Sequence, residues 1–237
     1  MSAPLPSFWV VIPAAGSGRR MGSTAMPKQY LRLGDRTVLE HAVAPFLVQS
    51  NCRGVVVVLS ADDERWSTLS ISRHARVRTT VGGAERVDSV RAGLELLATV
   101  ADSSDWVLVH DAARPCLDGA DLERLLSEVG DDEVGGLLAA PVVDTLKRAD
   151  DSGRVQETTE RAKLWRALTP QMFRLETLGR ALDAVHTRGI PTTDESQAVE
   201  SLGLRPKLVA GNADNIKITL PDDVVRAERI LLSRKNP

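Results

Sequence analysis

Short apolar runs rich in β-branched residues recur through the first half of the chain, at 8–12, 54–60, 77–81, 106–110 and 134–140. Between them, the segments 38–49, 88–100 and 119–129 repeat apolar positions at helical spacing and keep a polar face. Runs that read as buried strands, alternating with amphipathic helices, predict a single doubly wound, mainly parallel sheet covered by helices, an α/β fold. The helix over 119–129 follows Pro115 and carries Asp121 and Glu123 in its first turn, where acidic groups complement the helix dipole. In open sheets of this kind ligands bind beyond the carboxyl ends of the strands, close to where strand order reverses.

The rhythm breaks over 142–169. Val143 to Arg148 reads as a strand, Asp150-Asp151-Ser152-Gly153 as a tight turn, and 155–159 as a return strand. A hairpin this polar cannot bury a core of its own, so it is expected to protrude as an arm that needs a partner surface, in its own domain or in a second subunit. Further on, Thr192 and Glu195 are spaced as a capping box opening a helix, 213–219 reads as a late strand with Lys217 among apolar neighbours, and Pro221 starts a terminal helix through Leu232.

The 237 residues suffice for one large domain, so residues 1–237 are read as a unit that includes the arm. Hydrophobic residues at 43% and charged residues at 26% mark an ordinary globular chain, and a net charge of −2 leaves no footprint for general nucleic-acid binding. Any anion site must be local. Cys52 and Cys116 stand outside metal or disulfide spacing, which suits a reducing, cytoplasmic setting, and no run is long enough to span a bilayer. His41, His74, His110 and His186 are too scattered to suggest a ligand cluster.

The chemistry concentrates at strand ends. The first strand runs into Pro13-Ala14-Ala15-Gly16-Ser17-Gly18-Arg19-Arg20-Met21, with Pro27-Lys28-Gln29 shortly after. Small residues let backbone N–H groups approach a phosphate chain, and Arg20 and Lys28 add fixed positive charge. Met21 stands where a dinucleotide fingerprint needs its third glycine, the Walker pattern is absent, and Ala15 excludes a nucleophile elbow. Taken alone, the loop fits either a phosphate cradle or a plain strand-to-helix connection.

The fourth run ends in His110-Asp111-Ala112-Ala113-Arg114-Pro115, where Asp111 could contact Mg²⁺ directly or through water, accept a substrate hydroxyl, or simply pair with Arg114. After the third run, Gly82-Gly83 permits close approach of a base or ribose, with Asp88 or Ser89 as the helix cap or a polar contact.

These segments, with Ala140 to Lys147, Leu168 to Gln171, Thr193 to Glu195 and Ala213 to Lys217, occur together in an order that resembles the 2-C-methyl-D-erythritol 4-phosphate cytidylyltransferases of non-mevalonate isoprenoid synthesis. The resemblance spans nearly the whole chain. It implies a Rossmann-like nucleotidyltransferase that moves CMP from CTP to methylerythritol phosphate with Mg²⁺, releasing diphosphate. It also implies residue roles: Arg20 and Lys28 as transition-state cations; Pro13, Ala14, Ala15, Gly16, Gly83, Ser89 and Ala112 on CTP; Arg161 and Lys217 positioning the acceptor; and Asp111, Arg114, Thr145 and Thr193 lining its pocket. In such enzymes the arm crosses to a second subunit, so a homodimer is implied, with Arg161 acting across the interface. Val143 and Ala84 depart from the family pattern, which touches fine specificity. A polyol phosphate such as ribitol 5-phosphate is the rival acceptor, and a non-catalytic nucleotide-binding module is the alternative of another kind.

Overall fold

Alternation along strand β1 (Phe8–Pro13) separates the two layers of helices. Phe8, Val10 and Ile12 enter one core with Leu39, Val43 and Phe46 of helix α1 (Val38–Leu47) and Leu122, Leu125 and Leu126 of α3 (Gly119–Val129). Trp9 and Val11 enter the other, against Val90, Leu94 and Leu97 of α2 (Arg86–Leu97) and Leu178, Leu182 and Val185 of α4 (Leu175–Arg188). The structure is a computed structural model and describes residues 4–16 and 26–235.

The remaining elements are β2 (Arg32–Leu33), β3 (Arg36–Thr37), β4 (Cys52–Leu59), β5 (Val77–Val81), β6 (Trp106–Val109), β7 (Gly136–Pro141), β8 (Leu146–Ala149), β9 (Val155–Thr159), β10 (Trp165–Arg174), α5 (Glu195–Glu200), β11 (Lys207–Ala210) and α6 (Pro221–Lys235). The main sheet has seven strands in the order β11-β7-β10-β6-β1-β4-β5, and only β10 runs against the others. From β1 the chain winds outward through β4 and β5, then returns to place β6 on the other side of β1. That reversal opens a crevice beyond the carboxyl ends of β1 and β6, the position expected for a ligand.

The doubly wound expectation holds, and the early strands and helices lie within a few residues of their predicted spans. Strand β10 and helix α4 had not been anticipated. The arm is present as a separate two-stranded sheet of β8 and β9, with Val143 and Val155 exposed on it. No helix among the described residues is long and apolar enough to cross a membrane.

Three local expectations are corrected. Residues 213–219 are not a strand: their backbone groups bond across the strand ends, with Ile218 N–H donating to Ala113 O (2.8 Å) and Asn215 O accepting from Arg114 (2.6 Å). Side chains and loops satisfy this segment where a ladder would otherwise have to. Helix α2 begins at Arg86, so neither Asp88 nor Ser89 is its cap; Glu85 holds that position, and its N–H donates to the Asp88 carboxylate (3.1 Å). The cap of α5 is Asp194, which accepts from Gln197 N–H (2.9 Å), because the Glu195 carboxylate is drawn inward to an arginine.

Candidate active site

The loop leaving β1 is fixed by hydrogen bonds that need no large side chain. Ala14 N–H donates to Val58 O (2.8 Å), and buried Gln29 donates to Ala14 O (2.8 Å) and Gly16 O (3.2 Å). The other wall is the Gly82-Gly83 turn. A Cβ on Gly82 would lie 2.5 Å from the Ser89 hydroxyl and 2.9 Å from the Ala15 methyl, and one on Gly83 would lie 2.4 Å from Asp88 Cβ. The glycines therefore let the β5–α2 loop close over the β1 loop. Gly82→Ala is expected to cost about 1 to 3 kcal/mol in overpacking and, by displacing Ser89 or Ala15, to raise the KM for the ligand that sits between these walls. Denaturant unfolding beside steady-state kinetics checks both parts.

Between these walls lies a cavity of about 370 Å³ lined by Pro13 to Gly16, Lys28, Gln29, Gly83, Arg86, Ser89, Asp111, Ala112 and Lys217, among others. A smaller cavity of about 210 Å³ adjoins it, lined by Arg114, Leu168, Thr169, Gln171, Thr193 and Asp194 and again by Arg86, Asp111 and Lys217. Those three charged residues form the shared wall.

At the centre of that wall sits Asp111, which is only 6% exposed. Its Oδ1 accepts from Arg86 Nε (3.2 Å), while its Oδ2 faces Arg114 Nε (3.3 Å) and Lys217 Nζ (2.9 Å). Burial alone would raise the carboxyl pKa, but Arg86, Lys217 and Arg114 overcome it and hold the group well below the usual carboxylate range. The remaining Arg86 nitrogens grip Glu195 in a two-point pair, NH1 to Oε1 at 2.5 Å and NH2 to Oε2 at 3.1 Å. Burial would weaken the charge on Arg86, yet Glu195 and Asp111 raise its pKa above the ordinary guanidinium value. Lys28 donates to Ile218 O (3.0 Å), which places its ammonium beside the 217–219 segment at the cavity edge.

The Asp111 backbone is set from behind by His110, fully buried against Phe46. A carbonyl oxygen can only accept, so His110 Nε2 carries a proton toward Arg114 O (3.0 Å), and Nδ1 of the neutral ring accepts from the Thr169 hydroxyl (2.9 Å). The hydroxyl oxygen in turn accepts Asp111 N–H (3.1 Å). Asn215 donates to Thr169 O (2.7 Å), and Gln171 donates to Asp194 (3.0 Å) while accepting from Ser196 N–H (2.7 Å). Strands β6 and β10, α5 and the 213–219 segment are thus tied into one frame around the carboxylate.

With this geometry in hand, comparison with known proteins is decisive. The family described as 2-C-methyl-D-erythritol 4-phosphate cytidylyltransferase (IspD) matches residues 8–233. The chain belongs to that cytidylyltransferase family. A cytidylyltransferase of Pseudomonas aeruginosa strain UCBPP-PA14 is 53% identical to it over 229 residues, covering 96% of this chain and 97% of the relative. A solved 4-diphosphocytidyl-2C-methyl-D-erythritol synthase superposes with a TM-score of 0.83 at 39% identity, covering 97% of this chain and all (100%) of the other. The Francisella tularensis cytidylyltransferase gives 0.82 at 31% identity, over 94% and 99% of the two chains.

Against the roles that the cytidylyltransferase resemblance implied, Pro13, Ala14, Ala15, Gly16, Lys28, Gly83, Ser89, Asp111, Ala112 and Lys217 line the larger cavity, and Arg114 and Thr193 line the smaller. Asp111 does pair with Arg114, as its plainer reading supposed, but within a four-residue charge cluster. Thr145 and Arg161 lie exposed at the arm, outside both cavities, with Arg161 donating to Val143 O. Arg20 falls outside the described residues. The sequence reading passed over Arg86, Glu195 as its partner, and Gln29. The helix expected from 88 onward kept Arg86 outside it; in the fold it occupies the first turn, where the dipole disfavours a cation unless carboxylates hold it there.

Proposed function

We infer that fixed charge, without a general base, runs the reaction of this nucleotidyltransferase. The chain transfers CMP from CTP to 2-C-methyl-D-erythritol 4-phosphate, forming 4-diphosphocytidyl-2-C-methyl-D-erythritol and diphosphate in isoprenoid precursor synthesis. The observation that carries the charge-based reading is the pair of adjoining cavities whose common wall is Arg86, Asp111 and Lys217. Two phosphorylated substrates would meet at that wall. A non-bridging oxygen of the acceptor phosphate attacks the α-phosphorus of CTP, and the bond from that phosphorus to the β-phosphate oxygen breaks, diphosphate leaving with the electron pair. The nucleophile arrives already ionised, so what must be overcome is repulsion between anions.

The division of labour follows the walls. Backbone groups of Pro13 to Gly16, Gly83 and Ala112, with the Ser89 hydroxyl, receive CTP; Lys28 stabilises the charge that grows on the transferring and departing phosphates, a role that the family resemblance extends to Arg20. Lys217 orients the acceptor phosphate, and Asp111, Arg114 and Thr193 face the acceptor polyol, with Thr145, on the arm, reaching it only in a second subunit. Among the described residues no three His, Cys, Asp or Glu side chains cluster as a self-sufficient metal site. A single carboxylate fits Mg²⁺ nonetheless, since this ion is commonly held by one or two carboxylates plus substrate phosphates. Asp111 is the protein group that would contact it, directly or through water, and the ion supplies charge neutralisation. Arg161 lines neither cavity of its own chain, and this, with the exposed Val143, Val155 and Trp165, supports an arm that docks on a second copy.

Diphosphate release with CTP and Mg²⁺ is expected with methylerythritol phosphate and at a much lower kcat/KM with ribitol 5-phosphate. Equal turnover of both would reassign the acceptor, and none with either would sink the reaction. The dimer has its own test: sedimentation at micromolar concentration should give twice the chain mass. Mixing inactive Lys28→Ala and Arg161→Ala variants should restore part of the activity through hybrid dimers, and a monomeric mass with no restoration would remove the shared arm.

A further inference from the structure

Among the described residues, the hydrogen bonds made by the Glu195 carboxylate, itself 1% exposed, run to Arg86, whose third nitrogen, Nε, holds Asp111. One guanidinium therefore joins three elements: the start of α2, directly after the β5–α2 loop that lines the nucleotide cavity, the end of β6, and the start of α5, whose preceding residues Thr193 and Asp194 line the acceptor cavity. The planar fork fixes direction as well as distance, so a shift of the β5–α2 loop displaces either Asp111 or α5. Leaving Glu195 behind would strand a buried carboxylate without its counter-ion, which is strongly unfavourable, whereas Asp111 would keep Arg114 and Lys217 but lose the contact that orients its Oδ1.

We propose that Arg86 is a positioning residue that couples the two substrate sites, so that closure of the β5–α2 loop on the nucleotide sets Asp111 and α5 for the acceptor. The proposal rests on the reaction given above and adds to it a residue and a thermodynamic consequence. Nucleotide and acceptor should each tighten the other's binding by the same factor, since coupling between sites is reciprocal. Glu195 shares the role through Arg86 and lines neither cavity.

The test is calorimetric titration of the full-length protein with methylerythritol phosphate, with and without saturating α,β-methylene-CTP, whose carbon bridge blocks transfer. In the wild type the analogue should tighten acceptor binding about fivefold or more, the lower end of common coupling factors. Arg86→Lys keeps the charge and loses the fork; whatever its affinity for the nucleotide analogue alone, the factor by which the analogue tightens acceptor binding should fall toward one. Glu195→Gln, which leaves Arg86 paired with Asp111, should lose the coupling as well.

Full coupling in Arg86→Lys, or its absence from the wild type, would overturn the proposal. If neither variant folds, Arg86 is a structural brace and the proposal fails on that ground. Diphosphate release by the wild type is measured in parallel: turnover without coupling refutes the linkage alone, whereas no turnover refutes the reaction itself.

Discussion

A Lys28→Ala variant is expected to retain CTP binding within severalfold and to turn over about 10²- to 10³-fold more slowly, a barrier increase of about 3 to 4 kcal/mol. Lys28 opens a short turn after Pro27, and its ammonium is held at the cavity edge by Ile218 O at 3.0 Å. Such pre-placement matters because a cation that need not reorganise as charge develops stabilises the transition state more than the ground state. Loss of the bond to Ile218 should cost only about 1 kcal/mol of stability, so the fold survives and kinetics report the chemistry. A raised KM with unchanged kcat would instead make Lys28 a ground-state contact. Arginine is not expected to rescue fully, since its planar fork replaces a compact point charge.

The second large effect concerns pH. His110 is buried and bonded as a neutral ring, and burial pushes its pKa down to about 4, only partly opposed by its bond to Arg114 O. The unfolded chain's imidazole titrates near 6.5, so between about pH 6.5 and 4 the unfolded state binds a proton that the native state refuses. Stability should therefore rise with pH across that window, and about 3 kcal/mol should be lost on going from pH 7 to 4 through this residue. Asp111 contributes with the same sign but at lower pH. Its depressed pKa adds stability above the ordinary carboxylate value, lost only as pH falls toward its lower native value, beneath the histidine window. Urea unfolding at stepped pH, with His110→Gln as reference, separates the two. If the variant keeps the wild-type slope between pH 6.5 and 4, the ring is not held neutral.

Much of this was legible in advance because strand periodicity and small-residue loops are local signals. The runs at 8–12, 54–60 and 106–110 are apolar on both faces, which is what a central strand flanked by two helical layers requires. The segment 213–219 misled for the same reason: Ile216 and Ile218 alternate like a strand, but they bury against α6 while their backbone serves Arg114, Ala113 and Lys28. Alternation reports burial, not ladder pairing. Arg86 and Glu195 escaped because their meaning lies in each other, 109 positions apart, and no local pattern records a pair at that range. The Glu195 position in fact fitted a capping box, a sufficient local explanation that the tertiary partner overrode.

The antiparallel strand β10 also sets the order in which the molecule can be completed. It slots between β6 and β7, pairing Met172 with both Leu108 and Gly136, yet it is made after each of them. While the chain emerges from the ribosome, β1, β4, β5 and β6 can assemble the nucleotide half, but β6 offers an apolar strand with one open edge until residues 165–174 arrive. An open apolar edge invites pairing with the wrong chain. The acceptor half is thus the closing piece of the sheet, and shielding of the nascent protein hangs on the strand that also carries the acceptor pocket.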